Sequence, residues 1–325
     1  MKRRQNRGAA LLTAMIIVTL VASLAAGMVW QQYRAVQIEA ADRARAQSGW
    51  ILQGALDWAR LILLTDAKLN SNKPVDHLGE PWAVPLAEAR LSTFLAADRS
   101  TTTDDDGPEA FLSGFIEDAQ ARYNLRNLAT SDATAQAREL RTLERLCQMV
   151  NAPSGTAAMI ASSMRAAFPA AAASATGTET SANTPLQPAG IDELGWLGVP
   201  ADTIARLQPF VVLLPSASTK VNLNTAPREV IAALFDGMDL ASAERLVQAR
   251  KTRPLQVLGD AQSYLPAEVV IDSNRVSVDS SFFIVTGRLR LDERQLEQRS
   301  LIQRQNLVMK VLSRERVSQI LDTPR

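Results

Sequence analysis

The sequence predicts an α+β fold with one long N-terminal helix, a small antiparallel sheet and a large helical insertion. Three patterns predict it. An uncharged N-terminal run passes directly into a proline-free stretch of helix-forming residues. Apolar and polar residues alternate before residue 130 and again after residue 268, whereas the residues between have helical spacing. We therefore place the sheet at both ends of the body and the insertion between them.

Length, charge and composition exclude several classes of protein. With 325 residues, of which 46% are hydrophobic, the chain is long enough to bury a sizeable core. The formal net charge is +1, but four basic residues lie in the first seven positions, and the rest of the chain has 31 basic against 34 acidic side chains. Nucleic-acid-binding proteins usually have a clear basic excess. We therefore expect no nucleic acid as a partner.

The single cysteine and the single histidine limit the possible chemistry. Cys147 has no second cysteine for an internal disulfide, and we expect a buried thiol. Any Ser-His-Asp or Cys-His catalysis would depend on His77, which also cannot build a histidine-rich metal cluster. It lies in a polar, proline-flanked loop, which favours a solvated side chain over an oriented base. We therefore predict that the chain is not an enzyme.

The N-terminus predicts a membrane anchor. Four basic residues lie between positions 2 and 7, and an uncharged run follows from Ala9 to Val29. At about 1.5 Å per residue, this run is long enough to cross a hydrocarbon core of roughly 30 Å. The positive charge on its N-terminal side keeps the N-terminus in the cytoplasm and places the body outside it.

Two other interpretations of this run stay open. A cleaved secretory signal has a shorter apolar region and a small-residue cleavage site on its far side, and the residues up to Ala26 include such triplets. The run nevertheless continues to Trp30 and Tyr33, aromatic residues suited to a membrane interface. An uncleaved anchor for a periplasmic enzyme is the second alternative.

The order of these features resembles the leader of a type IV prepilin. A basic leader peptide, residues 1–8, ends in Gly8, and the apolar stretch begins at once with Ala9. The resemblance implies that a prepilin peptidase cleaves between Gly8 and Ala9 and that the new amine is methylated. Most prepilins have Phe where this chain has Ala9, and Glu where it has Thr13, a carboxylate that needs a partner within a bilayer. Lack of that Glu is typical of K-type minor pseudopilins, so the departure favours this narrower family.

We predict one continuous helix over residues 9–65, whose half 9–29 spans the membrane. Beyond Val29 the chain has no proline before residue 65 and is rich in Ala, Arg, Gln and Leu, all good helix formers. Apolar residues recur there at three- and four-residue spacing, at Ile51, Ala55, Trp58, Ala59 and Ile62. This amphipathic face is expected to pack on the body.

Residues 66–130 are predicted to form the first part of the pseudopilin α+β domain. A proline-rich loop ends the long helix, and residues 86–97 (LAEARLSTFLAA) have the composition of a short helix. The run Asp104 to Asp106 offers the clustered oxygens that calcium prefers, although it matches no EF-hand and a solvated turn is the alternative. From Phe111 to Leu128 the alternation of apolar residues indicates strands.

The last part of this region, DAQARYNLRNL, is similar to a motif of K-type pseudopilins with the pattern D-x-x-(G/A)-x-(F/Y)-N-L-N-x-L. Arg126 stands where that family usually has Asn. The residues that we assign to the motif are Asp118, Tyr123, Asn124, Leu125, Asn127 and Leu128.

Residues 131–267 are predicted to form an inserted helical domain. Residues 132–168 have apolar residues on one helical face, and residues 169–188 are a low-complexity Ala/Ser/Thr/Pro stretch that predicts an exposed loop. Residues 221–252 resemble a helix-hairpin-helix unit. In nucleic-acid-binding examples the hairpin faces phosphate, whereas here it carries Asp236 and Asp239, which repel a polyanion.

The start of this unit, VNLNTAP, also recurs in K-type pseudopilins. We predict that Asn224 and Thr225 cap its first helix and that Pro227 lies in the first turn. Asn222, Asn224, Thr225 and Pro227 are therefore assigned to the family motif. Asp236 and Asp239 are further candidates for calcium ligands, but no metal site is defined.

Residues 268–325 are predicted to form the C-terminal strands of the pseudopilin domain. Two stretches, Arg275 to Leu291 and Arg304 to Arg316, alternate in the manner of half-buried strands. Residues 292–300 (DERQLEQRS) are predicted to be a polar connection between them. The strands would return to the sheet that begins before the insertion.

The resemblance to K-type pseudopilins of type II secretion systems implies a pseudopilin fold and a role in assembly. The implied protein lies in the bacterial inner membrane with its body in the periplasm, and helps to start and cap a pseudopilus that exports folded proteins. Implied partners are minor pseudopilins of I and J type, the major pseudopilin, the prepilin peptidase and the inner-membrane secretion platform. No cofactor is required, with calcium as a candidate. A membrane-tethered helix-hairpin-helix DNA-binding protein is the alternative.

Overall fold

The computed structural model describes residues 7–91, 110–169, 186–291 and 294–320. By its contacts the chain divides into two units, Met1–Gly54 and Ala55–Arg325. The first six residues of the predicted leader, the run Asp104 to Asp106 and most of the predicted 169–188 loop lie outside the described residues.

Helix α1, Arg7–Leu69, begins in the first unit and ends in the second. The elements that follow are, in chain order, β1 (Leu86–Arg90), β2 (Ala110–Asp118), β3 (Tyr123–Asn124), α2 (Ala133–Met149), α3 (Thr156–Ala167), α4 (Ala201–Leu207), β4 (Val211–Val212), β5 (Val221–Asn222), α5 (Arg228–Leu234), α6 (Leu240–Thr252), β6 (Val276–Ser277), β7 (Phe282–Leu291), β8 (Arg294–Gln305) and β9 (Val308–Ile320). Short 3₁₀ helices lie at Pro81–Ala83, Ala119–Ala121, Leu125–Ala129, Ile191–Leu197 and Leu258–Tyr264.

The first unit exposes a long apolar helix surface. Its most apolar 18-residue window has a mean hydropathy of 2.3, and none of that window is buried. Two of the hydroxyls in this region donate to backbone carbonyls one turn earlier, from Thr19 Oγ1 to Met15 O at 3.0 Å and from Ser23 Oγ to Thr19 O at 2.7 Å. Polar groups satisfied within the helix are what a hydrocarbon environment requires. The segment therefore fits a single membrane span.

In the second unit, the last turns of α1 pack on a five-stranded antiparallel sheet with the order β1-β2-β7-β8-β9. Leu56, Ala59 and Leu63 lie at helical spacing and are buried against sheet residues that include Phe283 and Ile302. Trp82 completes this core, with its ring edge-on to Phe283 at a centroid distance of 5.4 Å. The apolar stripe of the helix and the apolar face of the sheet thus cover each other.

The insertion lies between β2 and β7 in the sequence and has a separate, larger core. Side chains from α2, α3, α5 and α6 contribute to this core, among them Leu146, Ile160, Ile231 and Leu246. The insertion also contains two short parallel strand pairs, β3 with β4 and β5 with β6. The structure therefore confirms the predicted α+β class, with a long N-terminal helix, an antiparallel sheet and a helical insertion.

Three local predictions differ from the structure. The predicted short helix of residues 86–97 begins as strand β1, because Leu86 and Ala89 pair with β2. The predicted polar connection of residues 292–300 is largely strand β8, whose polar residues Gln298 and Ser300 are buried. The predicted strand from Phe111 to Leu128 ends at Asp118 as a member of the main sheet. The following motif residues belong to the insertion.

Gly114 allows β2 and β7 to approach closely. A Cβ at Gly114 would lie 2.6 Å from the backbone oxygen of Thr286, which cannot move without disturbing the ladder. We expect Gly114→Ala to lower the free energy of unfolding by about 1–3 kcal/mol, measured by urea denaturation of the full-length chain in detergent. Gly195→Ala is the matched control, because a Cβ there meets no heavy atom within 4 Å. Equal effects of the two substitutions would contradict the packing argument.

Candidate functional site: the polar network where the insertion joins the sheet

Asp118, the last residue of β2, is the centre of a buried hydrogen-bond network. Its Oδ2 accepts hydrogen bonds from Asn222 Nδ2 at 3.0 Å, Thr225 Oγ1 at 2.5 Å and Ser280 Oγ at 2.6 Å. Its Oδ1 accepts one from Gln120 N at 2.7 Å. Burial raises the pKa of Asp118, and the hydrogen bonds from Ser280, Thr225 and Gln120 oppose that rise. One carboxylate thereby joins the end of β2, the insertion and the segment that leads into β7.

Asn222 and Asn224 fix the backbone around Asp118. Asn222 Nδ2 lies 3.0 Å from the carbonyl oxygen of Asp76, and Asn222 Oδ1 accepts from Asn224 N at 2.9 Å. Asn224 exchanges two hydrogen bonds of 2.9 Å with the backbone of Leu255. The prediction that Asn224 and Thr225 cap the following helix is wrong, because Pro227 precedes α5 and no side chain caps it.

The YNLRNL motif divides into apolar and polar residues with separate contacts. Tyr123, Leu125 and Leu128 are fully buried in the core of the insertion. Asn124 accepts from Leu214 N at 3.0 Å and donates to Ser216 O at 2.7 Å. The side chain of Asn127 exchanges hydrogen bonds with the backbone of Thr219, at 2.9 Å and 3.1 Å. The two asparagines thus hold the loop that precedes β5.

An acidic cluster extends the network to the end of α1. Asp66, Asp76 and Glu80 are buried, and their carboxylate oxygens lie within 4.8 Å of one another. Arg304 on β8 supplies positive charge, since its Nη1 lies 3.1 Å from Asp66 Oδ2 and its Nη2 pairs with Asp76. Asn70 Nδ2 bridges Asp66 and Glu80 at 3.1 Å and 3.0 Å. The spacing of these carboxylate oxygens would suit a metal ion, but the guanidinium of Arg304 already pairs with two of the three carboxylates, Asp66 and Asp76.

Asp76 connects the cluster to Asp118. Its Oδ2 accepts from Ser280 N at 2.7 Å, and Ser280 also donates to Asp118. Burial raises the pKa of Asp76 to about 7 and that of Asp66 to about 6, while Arg304 lowers both values. The network therefore contains carboxylates that ionise near neutral pH and not near pH 4.

The other candidate residues lie apart from this network. Gly8 and Ala9 belong to α1, and Thr13 is exposed in the first unit. Asp236 forms an ion pair with Arg145, and Asp239 caps α6 by accepting from Ser242 N at 2.7 Å.

Sequence reasoning missed part of the network itself. Asp76, Glu80 and Arg304 were not singled out as site residues. The sequence contains one signal for them: Asp76 and Glu80 lie close together after the long helix, and Arg304 is a basic residue in a predicted strand.

The raised pKa values predict that stability falls with rising pH. The unfolded chain releases these protons near pH 4, whereas the folded chain keeps them to about pH 6 or 7. The free energy of unfolding should therefore decrease between about pH 4 and pH 7. In Asp76→Asn that decrease should be smaller by about 1.4 kcal/mol or more, the equivalent of one pKa unit.

The measurement is urea denaturation of full-length protein in detergent at a series of pH values. Asp192→Asn, at an exposed position, is the control and should keep the pH dependence of the parent chain. An unchanged slope in Asp76→Asn would exclude Asp76 as a source of the pH dependence.

Two family models match the insertion. Both are described as type II secretion system (T2SS), protein K, and they match residues 121–216 and 221–279. These ranges include the YNLRNL and VNLNTAP motifs except Asp118, which lies three residues before the first range.

Relatives match over nearly the whole chain. The type II secretion system protein K of Pseudomonas aeruginosa is 29% identical over 94% of this chain and 90% of its own length. That of Klebsiella pneumoniae is 28% identical, with 97% of each chain covered. A solved chain from the GspK-GspI-GspJ complex of enterotoxigenic Escherichia coli has the same fold, with a TM-score of 0.63, 22% identity and coverage of 85% of this chain and 98% of that one. The chain is thus similar to type II secretion system protein K over nearly its whole length.

Proposed function

We propose that this protein is a minor pseudopilin that helps to start and cap the periplasmic pseudopilus of a type II secretion system. Its role is assembly and not catalysis. The observation that carries the proposal is an apolar, unburied helix segment at the start of a chain similar to protein K. Such a segment anchors the subunit in the membrane and gives it a surface for packing against other membrane helices.

Processing follows from the leader. A prepilin peptidase cleaves between Gly8 and Ala9, and Ala9 is then methylated. The basic residues before Gly8 keep the N-terminus in the cytoplasm, so the body faces the periplasm from a single-pass anchor in the inner membrane. Residues 1–8 therefore serve as a removable topology signal.

The position at the tip follows from Thr13 and from the insertion. A carboxylate within the bilayer needs a positively charged partner, and a subunit at the tip has no neighbour above it to provide one. Thr13 carries no charge and therefore suits that place. The bulk of the insertion prevents a further subunit from stacking above.

The proposed partners are the minor pseudopilins of I and J type. The solved relative comes from a complex with GspI and GspJ, which supports this assignment. The major pseudopilin, the prepilin peptidase and the inner-membrane secretion platform complete the set. Assembly by this route requires no cofactor, and calcium binding at Asp104 to Asp106 stays a prediction.

Processing gives a direct test. Mass spectrometry of the chain produced with an active prepilin peptidase should show an N-methylated Ala9 as the first residue. With an inactive peptidase, residues 1–8 should remain. Cleavage near Ala26, or no cleavage in a secretion-competent host, would refute the pseudopilin assignment.

Capping predicts a position within the fibre. Gold-labelled antibodies against the insertion should mark one end of isolated pseudopili in electron micrographs, because only the tip subunit carries it. Antibodies against the major pseudopilin provide the control and should mark the whole length. Labelling of the insertion along the fibre would be incompatible with a cap.

A further inference from the structure

Helix α2 carries a row of arginines that opens onto a pocket. Arg138, Arg141 and Arg145 follow one another at three- and four-residue spacing and therefore share one face of the helix. Together with Arg275 they line an open pocket of about 550 Å³. This volume lies within the range of pockets that hold small ligands or short peptide segments.

The arginines of this row have unused hydrogen-bonding capacity. Arg138 Nη1 pairs with Asp272 Oδ2 at 3.0 Å, and Arg145 pairs with Asp236. Arg138 Nε and Arg145 Nη1 are nevertheless buried without an acceptor among the described residues. Arg141, whose side chain is 50% exposed, reaches Asp236 only at 3.9 Å. The two buried nitrogen atoms are not accessible to a ligand, so the exposed guanidinium of Arg141, whose acceptor is 3.9 Å away, is the group of this row that is open to an anionic partner.

The remaining lining selects the kind of anion. Asp236, Glu268 and Asp272 lie around the pocket and face the three arginines of α2, while Arg275 is already paired with Glu139 at 2.9 Å. Such a mixed rim repels the repeated charges of a nucleic-acid backbone but admits a single planar carboxylate, which a guanidinium binds with two parallel hydrogen bonds. Val270 lines the pocket and is 83% exposed, and it offers an apolar contact beside the charge.

We propose that this pocket binds an acidic peptide segment of another protein, with a carboxylate held by Arg141 and Arg145 and a neighbouring apolar side chain against Val270. Asp236 occupies the same guanidinium groups in the free protein and competes with the incoming carboxylate. The pocket lies within the insertion, so this binding does not depend on the membrane anchor or on a place in a filament.

Calorimetric titration of the full-length chain in detergent tests the proposal. The probe is the blocked peptide acetyl-Ala-Glu-Leu-Ala-amide, which has one carboxylate beside an apolar side chain, and its counterpart acetyl-Ala-Gln-Leu-Ala-amide lacks the charge. The acidic peptide should bind in a salt-sensitive manner and the uncharged peptide should not. Arg141→Gln should weaken binding about tenfold, and Asp236→Asn, which removes the competing carboxylate, should strengthen it. Thermal midpoints check that both variants remain folded.

Arg253→Gln is the matched control, because Arg253 is exposed and lies outside the pocket lining. It should leave the affinity unchanged. The proposal fails if the acidic peptide does not bind, if the uncharged peptide binds equally, or if Arg253→Gln has the same effect as Arg141→Gln. A short DNA duplex that binds more tightly than the peptide, and loses that binding in Arg141→Gln, would assign the pocket to nucleic acid instead.

Discussion

The buried carboxylate of Asp118 is the constraint on which the second unit depends. A carboxylate without solvent is costly unless several donors surround it, and here the three side-chain donors come from residues 104 to 162 positions away in the chain. They become available only when the insertion has folded and the strand after it has returned. The insertion and the sheet therefore stabilise each other through Asp118, and a small apolar cluster that includes Val212, Leu214 and Phe282 also joins their two larger cores.

A different constraint acts on the first unit. The apolar side chains of its most hydrophobic window are not covered by protein among the described residues, and the hydrophobic effect favours lipid as their surroundings. The two units thus differ: the second buries apolar surface within itself, and the exposed apolar surface of the first fits a membrane. Helix α1 combines both properties, because its first part is apolar on all sides and its last turns have only a narrow apolar stripe.

Elements with strong periodicity were predictable from the sequence, and those defined by distant partners were not. The long helix, the strands around Phe283 and the helical insertion each have a regular apolar pattern. Strand β8 has no regular apolar pattern, because it buries the polar side chains of Gln298 and Ser300, which a hydrophobicity pattern predicts to be exposed. The pairing of Arg304 with Asp76 joins residues 228 positions apart, and local patterns contain no information on it. The motif residues were identified by resemblance, but the contacts of Asn222 and Thr225 with Asp118 required the fold.

The pairing of β2 with β7 has a consequence for how such a chain diversifies. These strands are neighbours in the sheet and match residue for residue from Ala110 opposite Leu291 to Asp118 opposite Phe283. The whole insertion therefore replaces what would otherwise be a tight hairpin turn. Lengthening or trimming it away from its two attachment points leaves the strand register intact, since the entropy of closing a loop grows only slowly with length. The length of the insertion and the pairing of the strands beneath it are accordingly independent of each other.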